Sequence, residues 1–142
     1  MAVKIFLDAN VLLDLTLKRE FYDDSKELMK LILDRRIKAF TTSSVLHIVA
    51  HWTSKYHGPV ITKEILLTLL TDITLVDISH ETAVVALHSK INDIEDALQY
   101  YTAIHHKLDY FISRDKQLQK DSIVVLPVYS TKDFIKAISW SI

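Results

Sequence analysis

The chain has 142 residues, 49% of them hydrophobic, with 17 basic and 18 acidic side chains and a formal net charge of −1. This length is typical of one domain, so we predict a single domain over residues 1–142 with a sizeable core. The absence of cysteine excludes disulfides, zinc fingers, iron–sulfur clusters and thiol catalysis. The only glycine, Gly58, excludes the glycine-rich phosphate loops of nucleotide-binding sites.

The start of the chain and its charge bear on location and on partners. The first apolar run ends at Asp8, too early for the hydrophobic region of a signal peptide. No apolar stretch reaches the ~18–20 residues that a membrane span needs. We therefore expect a cytoplasmic protein without membrane association. Because the chain has no overall basic field, any RNA would be bound through local clusters, metal ions or a partner.

Short apolar runs and longer amphipathic ones predict strands that alternate with helices. In chain order, the first half contains a strand at Val3 to Leu7, a helix from about Val11, a helix at Tyr22 to Arg35, a weak strand at Lys38 to Thr42 and a helix from a Ser43 or Ser44 cap to about Tyr56. Gly58-Pro59 is typical of a turn between two helices.

The second half of the chain continues the alternation. It contains a helix at Thr62 to Leu70, a strand at Thr74 to Ile78, a helix from a Ser79 cap to Leu87, a helix at Asp93 to Lys107, strands at Asp109 to Ser113 and Ile123 to Val128, and a last helix from Thr131. Strands that are apolar on both faces predict an α/β fold, a three-layer α/β/α sandwich with a central, mostly parallel sheet. In such sheets ligands bind beyond the carboxyl ends of the strands, at a topological switch point.

Acidic residues lie where that rule places a site. Asp8 follows the first strand directly, Asp115 closely follows the strand that contains Phe111, and Asp93 and Asp96 open a long helix. Carboxylates that converge in one cleft repel each other unless a cation neutralises them. Mg²⁺ or Mn²⁺ fits, because such ions prefer oxygen ligands. A bound ion of this kind can generate a hydroxide nucleophile and stabilise charge on a phosphoryl oxygen.

Each of these acids also has a purely structural interpretation. Asp8 or Asn10 could cap the helix that follows, since Asp and Asn are favoured at that position. Asp93 with Asp96 fits a capping arrangement that also complements the helix dipole. Asp115 could be an ordinary turn residue. The joint pattern of the acids favours a site over these separate interpretations.

Four segments resemble motifs of the PIN domain family. The first motif, a hydrophobic strand followed by D-x-N, is similar to Ile5 to Asp14. The family's D-x-E-D-A segment resembles Asp93 to Tyr100, and its closing motif resembles Tyr110 to Asp115. The final strand and helix of the family are similar to Val125 to Phe134. The resemblance covers essentially the whole chain, with the motifs in the right order.

The resemblance implies a PIN fold and a Mg²⁺- or Mn²⁺-dependent endoribonuclease, often the VapC-type toxin of a toxin–antitoxin pair. It implies that Asp8, Asp96 and Asp115 are the metal-binding and catalytic carboxylates, and that Asp93 is a nearby substitute or outer ligand. An RNA substrate and an antitoxin protein are the partners it implies.

The supporting positions agree with the family less evenly. Asn10 and Ser113 match positions that orient the carboxylates through hydrogen bonds. The family places a Glu on the helix after the second strand, but Ser43 to Ala50 contains no acid, and His47 falls closest to that position. Imidazole is a poor Mg²⁺ ligand, so a one-metal enzyme or a site that has lost activity stays open. His47 and His51, four residues apart, could share a metal or simply form one helix face.

Basic and aromatic residues suggest contacts with partners. Arg114 and Lys116 flank Asp115 and are candidates for RNA phosphate contacts, the alternative being solubilising loop charge. The apolar content and Trp140 suggest a homodimer or partner surface, although both could equally belong to the core. Two functions therefore stay open: metal-dependent RNA cleavage, and a PIN-like domain without catalysis that binds RNA or a partner protein.

Overall fold

A computed structural model describes residues 2–139, so the predictions made for Trp140 fall outside the described residues. The first half contains β1 (Val3–Leu7), α1 (Ala9–Thr16), α2 (Tyr22–Leu33), β2 (Ile37–Thr42), α3 (Ser43–His57) and α4 (Pro59–Leu70). The second half contains β3 (Ile73–Val76), α5 (His80–His88), α6 (Ile94–His105), β4 (Tyr110–Ile112), α7 (Lys116–Asp121), β5 (Val128–Tyr129) and α8 (Thr131–Ile138).

The strands form one sheet in the order β3-β2-β1-β4-β5, and every neighbouring pair is parallel. Helices α1 to α4 and α8 pack together in one layer, and α5 packs on α6 in another. The predicted α/β sandwich with a parallel central sheet is therefore confirmed. From β1 the chain builds outward through β2 and β3 and then returns to the other side of β1, so the switch point lies between β1 and β4.

The core fixes the two strands that flank this switch point. Phe6 of β1 is paired in register with Phe111 of β4, and their rings stack with centroids 4.7 Å apart. Tyr100 of α6 packs its ring 5.6 Å from that of Phe111, and all three side chains are fully buried. Since large buried aromatic rings contribute much of the packing energy of a core, the ends of β1 and β4 are held rigidly.

The cap of α3 differs from the sequence prediction. Thr42, rather than Ser43 or Ser44, caps this helix, because its hydroxyl accepts a 3.2 Å hydrogen bond from the backbone N–H of Val45. The Ser44 hydroxyl instead accepts a 2.6 Å hydrogen bond from the side-chain amide of Gln99 on α6. All three residue types are good caps, so a tertiary contact decides among them.

The prediction of a strand at Ile123 to Val128 is wrong for most of its length. Residues 123–126 form a turn in which the N–H of Leu126 donates to the carbonyl of Ile123 at 3.1 Å. The hydroxyl of Tyr100 accepts from the Ile123 N–H at 2.9 Å and donates to the Leu126 carbonyl at 2.6 Å. A buried side chain thus satisfies backbone groups that a strand would pair with its neighbour.

Two further features complete the fold. The short helix α7 was not predicted from the sequence, and it places the segment after Asp115 against β5. No helix in residues 2–139 is long and apolar enough to cross a membrane.

Candidate functional site

A cleft of about 510 Å³ opens at the carboxyl ends of β1 and β4, where the order in which strands are added to the sheet reverses. Five acidic residues line it: Asp8, Asp93, Glu95, Asp96 and Asp115. The structure thus brings the four predicted acids together and adds a fifth. Among the described residues, no group of three acidic or histidine side chains is arranged to hold one ion.

Asp8 is held rigidly between the two central strands. Because Leu7 is paired with Ile112, the residues that follow them, Asp8 and Ser113, lie side by side. The buried Asp8 carboxylate accepts 2.8 Å hydrogen bonds from the N–H of Ala9 and from the hydroxyl of Ser113. The pKa of Asp8 is raised, mainly by burial, and these two hydrogen bonds oppose the increase by favouring the charged form.

Asp96 is the most perturbed acid of the cleft. It is the third residue of α6 and is half-buried. Its pKa is raised to about 7. Burial is the largest cause, followed by the negative charges of Asp8, Asp93 and Asp115 and by a hydrogen bond to Asp115. A carboxyl with such a pKa stands among groups that repel its charge.

Three of the acids cap helices, as predicted for Asp8 and Asp93 but not for Asp115, which was interpreted as a turn residue. Asp8 accepts from the N–H of Ala9 at the start of α1, and Asp93 accepts from the N–H of Asp96 at 2.9 Å at the start of α6. Asp115 is a helix cap too, accepting from the N–H groups of the second and third residues of α7. Asp96 caps no helix. Its place in the first turn of α6 complements the helix dipole, but that role does not require burial beside three other carboxylates.

Glu95 lines the same cleft and was not among the residues singled out from the sequence. Its pKa is raised by partial burial, and then by the charges of Asp8 and Asp93. The signal was present in the D-x-E-D-A segment. A Glu in the first turn of a helix commonly complements the helix dipole. Its position alone therefore did not identify Glu95 as a site residue.

Asn10 does not orient a carboxylate in this structure. Its side-chain oxygen accepts a 3.1 Å hydrogen bond from Arg19, which also forms a 3.0 Å ion pair with the buried Asp14. Arg19 lines the acidic cleft, so the contact with Asn10 holds a cation at the edge of the carboxylate cluster. Nothing in the local sequence pattern marked Arg19, because its partners Asp14 and Asn10 lie five and nine residues earlier, outside any helical repeat with it.

The wall of the cleft on α3 is apolar. Ile48 and Trp52 line it, whereas His47 lies in a different groove together with His51. The position predicted for His47 at the acids is therefore occupied by Ile48, one residue further along. A shift of one residue turns a side chain by about 100° around a helix, which is enough to move it to another face.

Arg114 and Lys116 also lie away from the acidic cleft. They line a separate pocket of about 280 Å³ between the starts of α2, α7 and α8. The guanidinium of Arg114 forms an ion pair with Asp14 and stacks 4.7 Å from the ring centroid of Phe21. Arg114 thus has a structural role, and it shares that role with Arg19 on the other side of the same carboxylate.

A parallel α/β fold with a carboxylate cluster at the switch point of its sheet is the class that these features define. Residues 4–117 match the family described as PIN domain, and the chain belongs to that family. This confirms the family resemblance noted in the sequence. No curated protein sequence is a significant match to the chain.

Two solved structures have a similar fold. A chain in the crystal structure of VapBC2 from Rickettsia felis, bound to a DNA fragment from their promoter, is 16% identical with a TM-score of 0.67. The alignment covers 90% of this chain and 98% of that one. A chain in a toxin–antitoxin complex from Klebsiella pneumoniae is 23% identical with a TM-score of 0.64, covering 89% of this chain and 98% of that one. At these identities the similarity concerns the fold.

Proposed function

We propose that residues 1–142 act as one metal-dependent endoribonuclease domain, the toxin of a toxin–antitoxin pair. The placement of Asp96 carries the proposal. It is half-buried, caps no helix and has three other carboxylates around it, and its pKa is raised to about 7, first by burial and then by their charges. Perturbed acids of this kind cluster at functional sites, because a structural role does not require the repulsion.

The donors of the cleft fit Mg²⁺ or Mn²⁺. They are carboxylate oxygens, which hard divalent ions prefer, and a cation would remove the mutual repulsion. Asp8, Asp96 and Asp115 would hold the ion, with Asp93 and Glu95 at the margin of the cluster. When bound, such an ion supplies a hydroxide nucleophile and stabilises charge on the phosphate.

The protein's own groups complete the site. The Ser113 hydroxyl fixes the direction of the Asp8 carboxylate. Arg19, held by Asn10 and Asp14, places a positive charge beside the acids where an RNA phosphate would enter. Trp52 is 50% exposed on the opposite wall and offers a face on which a base can stack.

An antitoxin protein is the proposed partner. Of the two similar structures described above, one is a toxin–antitoxin complex and the other is VapBC2 bound to promoter DNA, which supports assembly with an antitoxin here. Exposed apolar side chains on α3 and α4, Tyr56, Val60 and Leu67 among them, provide surface for that partner or for a second copy in a homodimer. The proposed setting is the cytoplasm, where RNA substrates are available.

One observation supports a second function. Ile48 faces the acids from α3, where the family places a Glu, so the cluster lacks one carboxylate of the full set. A domain with this cleft could bind RNA or a protein without cleaving. The alternative predicts RNA binding with no products in the presence of either metal.

Calorimetry and RNA cleavage together test the proposal. We expect the wild-type protein to bind Mn²⁺ and to cleave single-stranded RNA in Mg²⁺ or Mn²⁺ but not with a chelator. Asp96→Asn should lose both properties, whereas Glu27→Gln, which removes an exposed charge on α2, should keep them. The ribonuclease hypothesis would be overturned if the folded wild-type protein bound no metal at millimolar concentration and left RNA intact. That result would favour a binding domain without catalysis.

A further inference from the structure

A second groove of about 510 Å³ lies between α3 and α4, and its residues His47 and His51 directly precede Ile48 and Trp52 of the acidic cleft. Four of its lining residues carry nitrogen donors: His47, His51 and Lys55 on α3 and Lys63 on α4. Its lining within residues 2–139 includes no acidic side chain. The groove is therefore complementary to an anion, in contrast to the carboxylate-lined cleft.

The spacing of these residues makes a continuous edge. His47, His51 and Lys55 are four residues apart and therefore share one side of α3, over about 12 Å of helix. All three side chains and that of Lys63 are exposed. An extended anion with more than one charged group fits this edge better than a single small ion, because the donors form a row.

Thr62 is a buried member of the groove lining. It belongs to the lining of the groove, is only 4% exposed, and its hydroxyl has no hydrogen-bond partner. Among the buried side-chain oxygen and nitrogen atoms of the described chain, it alone lacks one. That oxygen is itself buried, so a ligand in the groove would reach it only after a local adjustment.

Trp52 connects the groove to the acidic cleft. Its side chain lines the cleft, and its ring lies 5.2 Å from that of His51 and 5.1 Å from the ammonium of Lys55. Helix α3 thus presents an aromatic ring between the acids on one side and the row of nitrogen donors on the other. Aromatic rings beside positive charges are typical of surfaces that bind single-stranded nucleic acid without sequence preference.

We propose that the groove between α3 and α4 is a backbone subsite for single-stranded RNA. Phosphates next to the cleaved one lie along His47, His51, Lys55 and Lys63, and a base stacks on Trp52. This inference rests on the proposed function, because it continues the path of an RNA that occupies the acidic cleft. An acidic peptide is the less favoured occupant, because it offers no base to the half-exposed ring.

The test measures binding in a protein that cannot cleave, so that failure of catalysis does not obscure it. The probe is a fluorescein-labelled 12-mer of uridine, titrated by anisotropy into Asp96→Asn. Adding Lys55→Gln and Lys63→Gln should weaken binding by about tenfold and reduce the salt-dependence slope by about 1.4, since each phosphate contact on a single strand contributes about 0.7. The matched control adds Lys120→Gln and Lys136→Gln, two exposed lysines outside the groove, and should change the slope little.

Two further readouts decide between occupants. Oligouridine should quench tryptophan fluorescence in Asp96→Asn but much less after Trp52→Phe, which leaves the chain's other tryptophan. Equal RNA affinity and slope in the groove and control variants would overturn the proposal. So would unchanged RNA affinity with lost affinity for a hexaglutamate peptide, which would assign the groove to a protein. Reduced RNA affinity in the groove variant supports the subsite even if the wild-type protein cleaves nothing. Absence of cleavage would refute only the proposed ribonuclease activity.

Discussion

The hydroxyl of Ser113 donates a 2.8 Å hydrogen bond to Oδ2 of Asp8, joining the ends of two strands that are 105 residues apart in sequence. Both side chains are buried. The same hydroxyl accepts from the N–H of Asp115 at 3.1 Å, so one serine positions two acids of the cleft. The bond also favours the charged form of Asp8 against burial, which raises the pKa of that carboxyl.

Ser113→Ala removes this donor. We expect the free energy of unfolding to fall by about 1–2 kcal/mol, because a buried acceptor loses its partner. The pKa of Asp8 should rise further, so Mn²⁺ binding should weaken and the pH profile of cleavage should move to higher pH. Urea denaturation, calorimetry and a pH–rate profile measure these effects. Ser113→Thr keeps the hydroxyl and should behave nearly as the wild type; a normal pH profile in Ser113→Ala would show that the bond does not tune Asp8.

The metal-free protein should lose stability as the pH rises. Asp8 and Asp96 have folded-state pKa values above the unfolded value of 3.8, so the folded state keeps protons that the unfolded state has released. The contribution of these two groups to stability is therefore greatest below about pH 3.8 and declines as the pH rises from there through about 7. Urea denaturation with a chelator should give a lower free energy of unfolding at about pH 8 than at about pH 5.5. Millimolar Mg²⁺ should restore the free energy of unfolding at the higher pH. A free energy of unfolding that does not change with pH in the absence of metal would contradict the raised pKa values of these acids.

Asp96→Asn should make the metal-free protein more stable at about pH 8. The neutral amide removes the cost of burying a charge and the repulsion from the other acids, and the gain is about 1–2 kcal/mol once the exposed half of the side chain is discounted. The same substitution should abolish stabilisation by Mg²⁺, because a ligand is lost. Thermal melts with and without Mg²⁺ measure both effects. Glu27→Gln is the control for a lost negative charge, and a destabilised Asp96→Asn would indicate a structural role for this acid.

The sequence predicted the sheet and the location of the cleft because both depend on local patterns. Apolar strands and capped helices in alternation imply a parallel sheet, and Asp8 and Asp115 directly or closely follow two of its strands. Pairing of Leu7 with Ile112 then brings the two acids together. The same reasoning could identify Asp93 and Asp96 at a helix start, although it did not select Glu95 between them.

Other features depend on tertiary contacts that no local pattern contains. The turn after α7 exists because the Tyr100 hydroxyl, from another helix, bonds to Ile123 and to Leu126. The side of α3 that faces the acids depends on packing, so His47 was predicted where Ile48 lies. The ion pairs of Asp14 with Arg19 and Arg114 join loops and helices whose arrangement appears only in the folded chain.

Asp14→Asn should destabilise the fold. Its carboxylate is almost completely buried between Arg19 and Arg114, and its loss leaves two guanidinium groups close together without their counter-charge. Removing one partner of a buried ion pair costs about 3–5 kcal/mol, and we expect about 2–3 here because both arginines are partly exposed. Urea denaturation measures the change. Lys116→Ala, which removes an exposed neighbouring charge, should stay within about 0.5 kcal/mol of the wild type; equal effects of the two substitutions would contradict the role of the ion pairs.

Ile48→Glu should add a metal ligand to the cleft. Ile48 is the residue of α3 that lines the carboxylate cluster together with Trp52, at the side where the family carries a Glu. Another carboxylate there supplies oxygen donors for a second ion, so Mn²⁺ binding should tighten by about tenfold or rise from one ion to two. Calorimetry gives the affinity and the stoichiometry. His47→Glu is the matched control, because that side chain lies in the groove between α3 and α4 and should leave Mn²⁺ binding unchanged. If His47→Glu changed metal binding and Ile48→Glu did not, the register of α3 against the acids would be one residue different, and His47 would return as the residue nearest the metal.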